Sequence, residues 1–403
     1  MLRSGTICVS FLYKYLTSDS EYKDDNGQVL NKKAQKLRCL SDTFQSYGGV
    51  LSKLSQMLCL NDYKSDVFSD CKPFSKEKTF RYIQEKYNKG EFNDQLKSLD
   101  LNIHKSGSIG QVHKGIDIYG NKIILKVQYV GLFKQTKTDL VMLDKITSYV
   151  YNFSDMKYAM KDIKTQMYKE LDYVNEKNNQ EFMYKLWEDD ETIEIPKIIF
   201  PLCNSQHIGM HYVEGISLKQ FIEDEKYSQD DKNIVGRNIV KFIFENIYKH
   251  GILYSDAHYG NFLVKEDLTL CILDFGCLQD IDEDLLINLR SIHVSLRNED
   301  KELFFKSVTN MGILTEKTTE ESQKYMYEYF KIQYMPWLSK DFQFTEEWLE
   351  LSVEKDTDLM NKWILPQNMV YFNKIPYGLY HLLTKISLKG DFKDMFDKMF
   401  ETF

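Results

Sequence analysis

The sequence lacks several features that mark whole classes of proteins. Its seven cysteines include no Cys-x-x-Cys pair, which argues against a disulfide framework or a zinc ribbon and predicts reduced thiols in an intracellular protein. No uninterrupted apolar run comes near the length of about 18 residues that a membrane-spanning helix needs. The most apolar stretch, residues 369–386, is interrupted by Lys374, Pro376, His381 and Lys385. The sequence also has no excess of positive charge, since 52 Lys and Arg residues against 60 Asp and Glu residues give a net charge of −8. We therefore expect no nucleic-acid partner.

Alanine is also scarce, with only Ala34, Ala159 and Ala257, so motifs that usually contain alanine are expected to be altered. The first 16 residues have one arginine and a short apolar stretch broken by Ser10 and Lys14, which gives no clear targeting signal. The remaining composition, with 43% hydrophobic and 28% charged residues, is typical of a globular chain. At roughly 150 residues per domain, 403 residues predict more than one domain.

Three segments with different hydrophobic patterns follow one another along the chain. Residues 1–100 are predicted to be helical, because apolar residues from Leu30 to Leu58 recur at spacings of three, four or seven. Residues 61–101 have a weaker helical pattern and suggest a helix pair with a loop around Cys71 and Pro73. Residues 101–215 are β-rich, with a hairpin formed by 106–119 and 122–130, a helix over 156–187 and two short strands, 197–202 and 207–213.

The third segment, residues 216–403, is mainly helical. It contains a strongly apolar helix, residues 234–250, which Gly251 is expected to end. Two strand-like stretches, 263–264 and 270–273, flank a turn, and residues 285–403 are predicted to form further helices. We therefore predict three domains, 1–100, 101–215 and 216–403.

A glycine-containing turn and a strand lysine are the first features with chemical meaning. Gly107-Ser108-Ile109-Gly110 lies between two predicted strands, where small residues let backbone N–H groups approach phosphate oxygens; an ordinary hairpin turn is the alternative. Lys126 ends the apolar run Ile123-Ile124-Leu125 and would need an anion among buried neighbours; a lysine on an edge strand is the alternative. The partner candidate is Glu176 on the following helix. A solvated acidic face is the default interpretation of Glu170, Asp172 and Glu176.

Two groups further along the chain complete the set. Asp256 and Asn261 lie five residues apart on a loop after the apolar helix, and Asp274-Phe275-Gly276 directly follows an apolar strand. Each signal is weak alone. Taken in order, a glycine turn, a strand lysine, a helix glutamate, an Asp-x4-Asn loop and a post-strand Asp-Phe-Gly are the parts with which a kinase holds Mg-ATP and orients a hydroxyl.

Two other patterns have simpler explanations. His207 and His211 have the spacing of a zinc-binding helix, but on a predicted strand four residues span about 13 Å, which is too far for one metal ion. We expect both to be packing residues. The basic residues between positions 32 and 38 are interpreted as the solvated face of the first helix.

The motifs resemble those of the UbiB/ADCK family of atypical protein-kinase-like proteins. The matching stretches are Ser108-Ile109-Gly110-Gln111-Val112-His113, Lys126-Val127-Gln128, Glu170-Leu171-Asp172, Asp256-x-His258-x-Gly260-Asn261 and Leu273-Asp274-Phe275-Gly276. The first string is specific to that family, since ordinary kinases have a different glycine loop. The resemblance spans about residues 44–276. It implies a bilobal protein-kinase-like α+β fold with an N-terminal helical extension (1–100), a kinase-like N-lobe (101–215) and a helical C-lobe with C-terminal helices (216–403).

The resemblance also implies roles for individual residues. Lys126 would contact the α/β-phosphates of ATP or ADP and pair with Glu176, while Asp256 would be the catalytic base or orient a water. Asn261 and Asp274 would hold Mg²⁺. The cofactor-binding positions carried over from the family are Gly107, Ser108, Gly110, Lys126, Asn261 and Asp274.

The N-terminal extension carries the implied regulatory residues. In the family it is thought to fold over the active site through a Lys-x-Gly-Gln motif, matched here by Lys53 and Gln56, with the lysine near the acids Glu170 and Asp172. That arrangement would block a protein substrate and favour a small or lipid-linked one. The family is associated with coenzyme Q (ubiquinone) biosynthesis and other isoprenoid lipid metabolism in mitochondria, plastids and bacteria. The resemblance therefore implies a mitochondrial or membrane-associated location, with a lipid surface or a protein as candidate partner.

The sequence departs from the family at several positions. Ser55 replaces the motif glycine, and Lys105-Ser106-Gly107 replaces the alanine-rich nucleotide loop, which leaves the choice between ATP and ADP open. Tyr254, Ala257 and Tyr259 replace a histidine and two prolines. The ionisable groups and Asn261 are retained. We therefore predict an ATP-dependent phosphotransferase or ATPase; the alternative is a pseudokinase, a nucleotide-gated lipid- or protein-binding regulator without phosphotransfer.

Overall fold

The computed structural model of the chain describes residues 76–90, 92, 94–107, 109–150, 165, 167–169, 171–314, 318–353 and 376–400, and the side chains of all of these except 76, 142–150, 376 and 377. The amphipathic helix predicted around residues 30–58, with Lys53 and Gln56, lies outside the described residues. Ser108 and Glu170 lie outside them as well.

Helices and strands alternate in the first half of this structure, and helices dominate the second. The helices are α1 Lys76–Asn88, α2 Leu132–Val150, α3 Tyr173–Trp187, α4 Leu218–Glu223, α5 Gln229–Tyr248, α6 Glu283–Arg297, α7 Lys301–Asn310, α8 Glu320–Leu338, α9 His381–Ile386 and α10 Phe392–Phe400. The strands are β1 Leu96–Leu99, β2 Lys105–Ser106, β3 Gly110–Asp117, β4 Lys122–Gln128, β5 Ile193–Glu194, β6 His207–His211, β7 Ile216–Ser217, β8 Ile252–Tyr254, β9 Phe262–Val264, β10 Leu270–Ile272, β11 Leu278–Asp280, β12 Phe342–Gln343 and β13 Lys389–Gly390.

The chain divides into two compact units. Unit 1 is the described part of Met1–Glu181 together with Lys197–Tyr212, and unit 2 is Phe182–Pro196 together with the described part of Val213–Phe403. The division falls within α3. Among the described helices, none combines the length and the apolarity needed to cross a membrane.

Unit 1 is built on a five-stranded antiparallel sheet in the order β1-β3-β4-β6, with β2 paired to β3. Side chains alternate across β4, so Ile123, Leu125 and Val127 are buried on one face while Lys126 lies on the other. The predicted hairpin is confirmed as β3 and β4. Its turn contains Gly120 at φ +93°, a left-handed conformation that favours glycine.

Two predicted elements of unit 1 are wrong, and a third, the helix over 156–187, is interrupted at residues 171–172 before α3 begins at Tyr173. Residues 96–99, assigned to a helix pair, form strand β1, because the chain pairs with β3 and buries Leu96 and Leu99. Residues 197–202, predicted as a strand, make only an isolated bridge between Ile198 and Met210 before a 3₁₀ turn over Phe200–Leu202. Pro201 lies at the start of that turn and has no N–H to donate to a sheet.

The long apolar helix predicted over residues 234–250 is confirmed as α5 of unit 2. Ser228 caps the start of α5 in a reciprocal pair with Asp231, and Gly251 follows its end at φ +64°. Antiparallel β9 and β10 form the predicted strand pair, and β5 adds to β10 in parallel. The helices α6 to α10 confirm the helical C-terminal part, to which β12 and β13 add a short strand pair.

Candidate functional site

The strand lysine and the helix glutamate meet in unit 1. Lys126 lies on β4, opposite Val112 of β3 and Ile208 of β6, and its ammonium group forms an ion pair and a hydrogen bond with Oε1 of Glu176. The Glu176 side chain is 2% exposed and that of Lys126 is 16% exposed. The alternative of an edge-strand lysine is wrong because β4 is paired on both sides. The interpretation of Glu176 as part of a solvent-exposed acidic face is also wrong, because its carboxylate is buried and has a cationic partner.

Tyr173, the first residue of α3, connects this pair to the glycine turn. Its side chain is fully buried, and the centre of its ring lies 5.4 Å from Nζ of Lys126, a distance at which a cation is attracted to the ring face. A Cβ atom added at Gly110 would lie 2.6 Å from the Tyr173 hydroxyl and 2.6 Å from the carbonyl oxygen of Val127. Gly110 is therefore required by close packing.

Gly107 has more space than Gly110. Its N–H donates a hydrogen bond to the carbonyl of Gly110 at 2.8 Å, which closes the turn, and an added Cβ would meet only that carbonyl oxygen, at 3.6 Å. The turn itself thus has an ordinary hydrogen-bonded geometry. Its predicted contact with phosphate oxygens stays a prediction.

Asp172, one of the two acids assigned a regulatory role, has a local structural role. Its Oδ1 accepts hydrogen bonds from the N–H groups of Val174 and Asn175 at 3.1 and 3.0 Å. This is the usual cap at a helix N-terminus, where backbone N–H groups lack partners within the helix. Asp172 therefore fixes where α3 begins. Its regulatory role stays a prediction.

Unit 2 brings together the loop and the post-strand aspartate. After β8, a 3₁₀ turn over Tyr259–Asn261 folds the loop back, so that Nδ2 of Asn261 donates to the carbonyl and to Oδ2 of Asp256 at 3.0 and 3.1 Å. The carbonyl of Asn261 accepts from the N–H of Leu273 at 2.9 Å. This bond joins the loop to the residue directly before Asp274.

Asp274 follows β10 as predicted, and its Oδ1 accepts a hydrogen bond from the N–H of Gly276 at 3.0 Å. Phe275 is fully buried, with its ring 6.4 Å from that of Tyr254. Burial, together with the charges of Asp274 and Asp256, raises the pKa of Tyr254 well above its usual value. The tyrosine therefore stays neutral beside two carboxylates.

The donor atoms of Asn261 and Asp274 fit Mg²⁺. They offer an amide oxygen and a carboxylate, and Mg²⁺ usually takes one or two such protein ligands while phosphates and water supply the rest. The amide nitrogen of Asn261 faces Asp256, so the amide oxygen is the end that a cation would use. Within the described part of the chain, no group of three or more His, Cys, Asp and Glu side chains is arranged to hold a metal ion.

The two histidines at zinc-like spacing both lie on β6. The ring nitrogens of His207 contact the carbonyl of Leu202 at 3.0 Å and the side-chain amide of Asn204 at 2.7 Å, and its ring packs on Phe92. The predicted packing role of His207 is confirmed.

Two contacts around Lys126 were missed by sequence reasoning. The ring of Tyr173 lies against the ammonium group, and Gln128, two residues along β4, reaches the chain just before α3. Period-2 spacing could have indicated Gln128, because it shares a strand face with Lys126. The sequence has no comparable signal for Tyr173.

Comparisons with known proteins agree on one family. The family model of the ABC1 atypical kinase-like domain matches residues 66–308. The chain is 28% identical over 316 residues to "Probable serine/threonine-protein kinase abkB" of Dictyostelium discoideum, covering 72% of this chain and 46% of that protein. It is 24% identical over 330 residues to "Protein ACTIVITY OF BC1 COMPLEX KINASE 8, chloroplastic" of Arabidopsis thaliana, covering 76% and 43%.

A third relative is "Atypical kinase COQ8, mitochondrial" of Saccharomyces cerevisiae, 23% identical over 289 residues and covering 68% of this chain and 57% of that protein. The chain spans about half the length of the curated relatives it matches. Among solved structures, Rv3197 of Mycobacterium tuberculosis, in complex with erythromycin, superposes with a TM-score of 0.68 at 18% identity, covering 91% of this chain and 95% of that one. With the family match, this likeness confirms the kinase-like α+β fold.

Proposed function

Because the chain belongs to the ABC1 atypical kinase-like family, we propose that it binds Mg-ATP or Mg-ADP and acts as an atypical kinase or ATPase on a small or lipid-linked substrate. Relatives are named as kinases, which supports a phosphotransferase-like chemistry. The proposal concerns this chain's own residues. It gives one set of roles to the lysine–glutamate pair of unit 1 and another set to Asp256, Asn261 and Asp274 of unit 2.

The observation that carries the proposal is the ion pair of Lys126 and Glu176. A buried carboxylate is costly unless it is paired, so its presence beside a strand lysine calls for an explanation beyond stability. In kinases the same pairing fixes a lysine so that its positive charge meets the α/β-phosphates. The Lys126 side chain keeps a residual exposure of 16%, and Glu176 is its ion-pair partner.

The group in unit 2 supplies the complementary functions. Asn261 and Asp274 would hold Mg²⁺, which neutralises phosphate charge when bound. Asp256 would accept the proton of an attacking hydroxyl or orient a water. Its hydrogen bond with Asn261 fixes the direction of its carboxylate. Phosphoryl transfer asks a protein mainly for positioning and charge neutralisation, and these side chains provide both.

For the acceptor, we propose a small or lipid-linked molecule of the isoprenoid or coenzyme Q type, on the strength of the family resemblance. A lipid surface is the matching partner. Two relatives are named as chloroplastic and mitochondrial proteins, which supports a location in an organelle or on its membranes.

Hydrolysis of Mg-ATP by the purified chain, with and without lipid vesicles, tests the proposed activity. We expect turnover that Asp256→Asn lowers about 10²- to 10⁴-fold, the usual contribution of a general base, while nucleotide binding is retained. Asp280→Asn, which removes an exposed carboxylate of β11, is the matched control and should keep full turnover. Stimulation by vesicles would support a lipid-linked acceptor.

Two results would count against this function. Tight Mg-nucleotide binding without turnover would replace the enzyme with the pseudokinase, a nucleotide-gated regulator. Equal turnover in Asp256→Asn and the native chain would remove Asp256 from its proposed role.

A further inference from the structure

Gln128 shares a strand face with Lys126 and reaches the same helix. The two residues are separated by one position on β4, so their side chains lie on the same side of the sheet. Nε2 of Gln128 donates a hydrogen bond to the carbonyl oxygen of Leu171 at 2.9 Å. Both residues are buried, at 8% and 4% exposure, so this carbonyl has no ready access to water.

Lys126 and Gln128 therefore hold one short segment at two points. Leu171 lies two residues before the start of α3, and Glu176 lies in its first turn. Lys126 binds Glu176 and Gln128 binds Leu171, so two parallel side chains connect a single strand face to the beginning of the helix. A helix held at one point can pivot about it, whereas two points fix its direction as well.

The backbone of Gln128 is itself fixed on two sides. Gln128 pairs with Gly110 of β3, and its N–H donates to the carbonyl of Gln206 at 2.8 Å. Gly110 is also the residue against which the Tyr173 hydroxyl packs. The position of Gln128 thus links the glycine turn, β4 and the start of α3 within unit 1.

We infer that Gln128 is a positioning residue, which holds the start of α3 so that Glu176 stays paired with Lys126. This inference rests on the proposed function in one respect: the benefit of the pairing is nucleotide binding. Without the Gln128 amide, the buried carbonyl of Leu171 loses its hydrogen-bond donor. Because an unpaired buried carbonyl is costly, the start of α3 moves to reach water or another donor. Glu176 then holds Lys126 for less of the time.

Gln128→Met tests this role, because methionine has a similar length and no hydrogen-bond donor. The matched control is Gln333→Met in unit 2, where a buried glutamine amide also donates to a backbone carbonyl, that of Ser352, at 3.1 Å. Gln333 also accepts a hydrogen bond from the Ser352 hydroxyl at 3.0 Å, so Gln333→Met loses at least as much hydrogen bonding as Gln128→Met. A general loss of stability should therefore affect the control at least as strongly.

Two readouts on the full chain separate this inference from the proposed function. Without nucleotide, we expect backbone amides of residues 173–181 to exchange hydrogen about tenfold faster in Gln128→Met and at the native rate in Gln333→Met. With nucleotide, we expect about tenfold weaker binding of Mg-ATP in Gln128→Met and native affinity in Gln333→Met. In a Glu176→Gln background, adding Gln128→Met should weaken binding no further, because the two residues act through one pair.

Unchanged exchange at the start of α3 in Gln128→Met would overturn the inference, whether or not the chain binds nucleotide. Faster exchange with native Mg-ATP affinity would overturn it too, because the bond would then be structural only. A native chain that binds no Mg-nucleotide would instead refute the proposed function, and the exchange measurement would still decide whether Gln128 holds the helix.

Discussion

At the residue scale, Gly110 shows how close packing can require the glycine for which sequence reasoning predicts contact with phosphate. Sequence reasoning explains the glycine turn either by approach to phosphate or by an ordinary hairpin. The structure gives a further reason, since any Cβ at Gly110 would collide with the Tyr173 hydroxyl and the Val127 carbonyl. Gly107 has no such neighbour. The two glycines therefore differ in what a side chain would cost.

Gly110→Ala should lower the free energy of unfolding by about 1–3 kcal/mol, because the added methyl group forces the backbone of β4 or the ring of Tyr173 to shift. Gly107→Ala should change it by less than about 1 kcal/mol. Urea unfolding of both variants measures the difference. Equal losses in the two variants would contradict the packing argument.

Asp172 offers a second test at this scale, because its carboxylate caps α3. Asp172→Asn should keep native stability, since asparagine caps a helix as well as aspartate does, whereas Asp172→Ala should cost about 1 kcal/mol. Thermal unfolding distinguishes the two outcomes. If Asn and Ala were equally destabilising, the attraction between the negative charge and the helix N-terminus would outweigh the hydrogen bonds, which would contradict the capping argument.

At the element scale, the contact between α6 and α10 contains a buried histidine. The ring of His293 stacks on those of Phe396 and Phe400, with centroid distances of 5.3 and 4.5 Å. Burial, together with the charge of Arg297, lowers the pKa of His293 to about 4. Asp397 opposes this effect and Lys393 adds to it, so the groups facing His293 from both helices favour the neutral ring.

Stability should therefore fall on acidification as His293 becomes protonated. The unfolded chain takes up this proton near pH 6.5 and the folded chain only near pH 4, so the loss develops as the pH falls from about 6.5 to about 4. Between pH 7 and pH 5 it amounts to about 2 kcal/mol. Urea unfolding at both pH values should show a drop in the native chain that exceeds the drop in His293→Phe by this amount. The same drop in both would contradict the buried neutral histidine.

The sequence best predicts those helices and strands whose apolar residues recur at a regular spacing without interruption. The hairpin of β3 and β4 and the helix α5 have regular apolar spacing and glycine at their ends, and both are confirmed. Strand β1 was missed because its buried residues, Leu96 and Leu99, are three apart, which is a helical spacing. A bulge between Leu96 and Ser98 breaks the strand alternation and produces that spacing.

At the scale of the whole molecule, the order of the motifs was enough to predict the family and the fold. The resemblance to the UbiB/ADCK family is confirmed by the ABC1 domain match, which covers residues 66–308, and by relatives with matching names. The pairing of Lys126 with Glu176 was also anticipated, because a lysine among buried neighbours needs an anion. The strand spacing places Gln128 on the same face as Lys126, but its bond to Leu171 depends on where α3 begins in space, which the spacing does not encode.

Calorimetric titration of the purified chain with ATP and ADP, with and without Mg²⁺, tests the proposed nucleotide site most directly. Binding should depend on Mg²⁺ and weaken at least about tenfold in Lys126→Met, while Lys122→Met, four residues earlier on the same strand face, should stay within about twofold of the native affinity. A second variant, Lys126→Met with Glu176→Gln, avoids an unpaired buried carboxylate and should bind as weakly as Lys126→Met.

Asp274→Asn completes that titration and should remove the Mg²⁺ dependence, whereas Asp280→Asn should keep it. Mg²⁺-dependent binding that is lost in Lys126→Met and Asp274→Asn and retained in both controls is the predicted result. Native affinity in Lys126→Met and Asp274→Asn, or no nucleotide binding by the native chain, would contradict it.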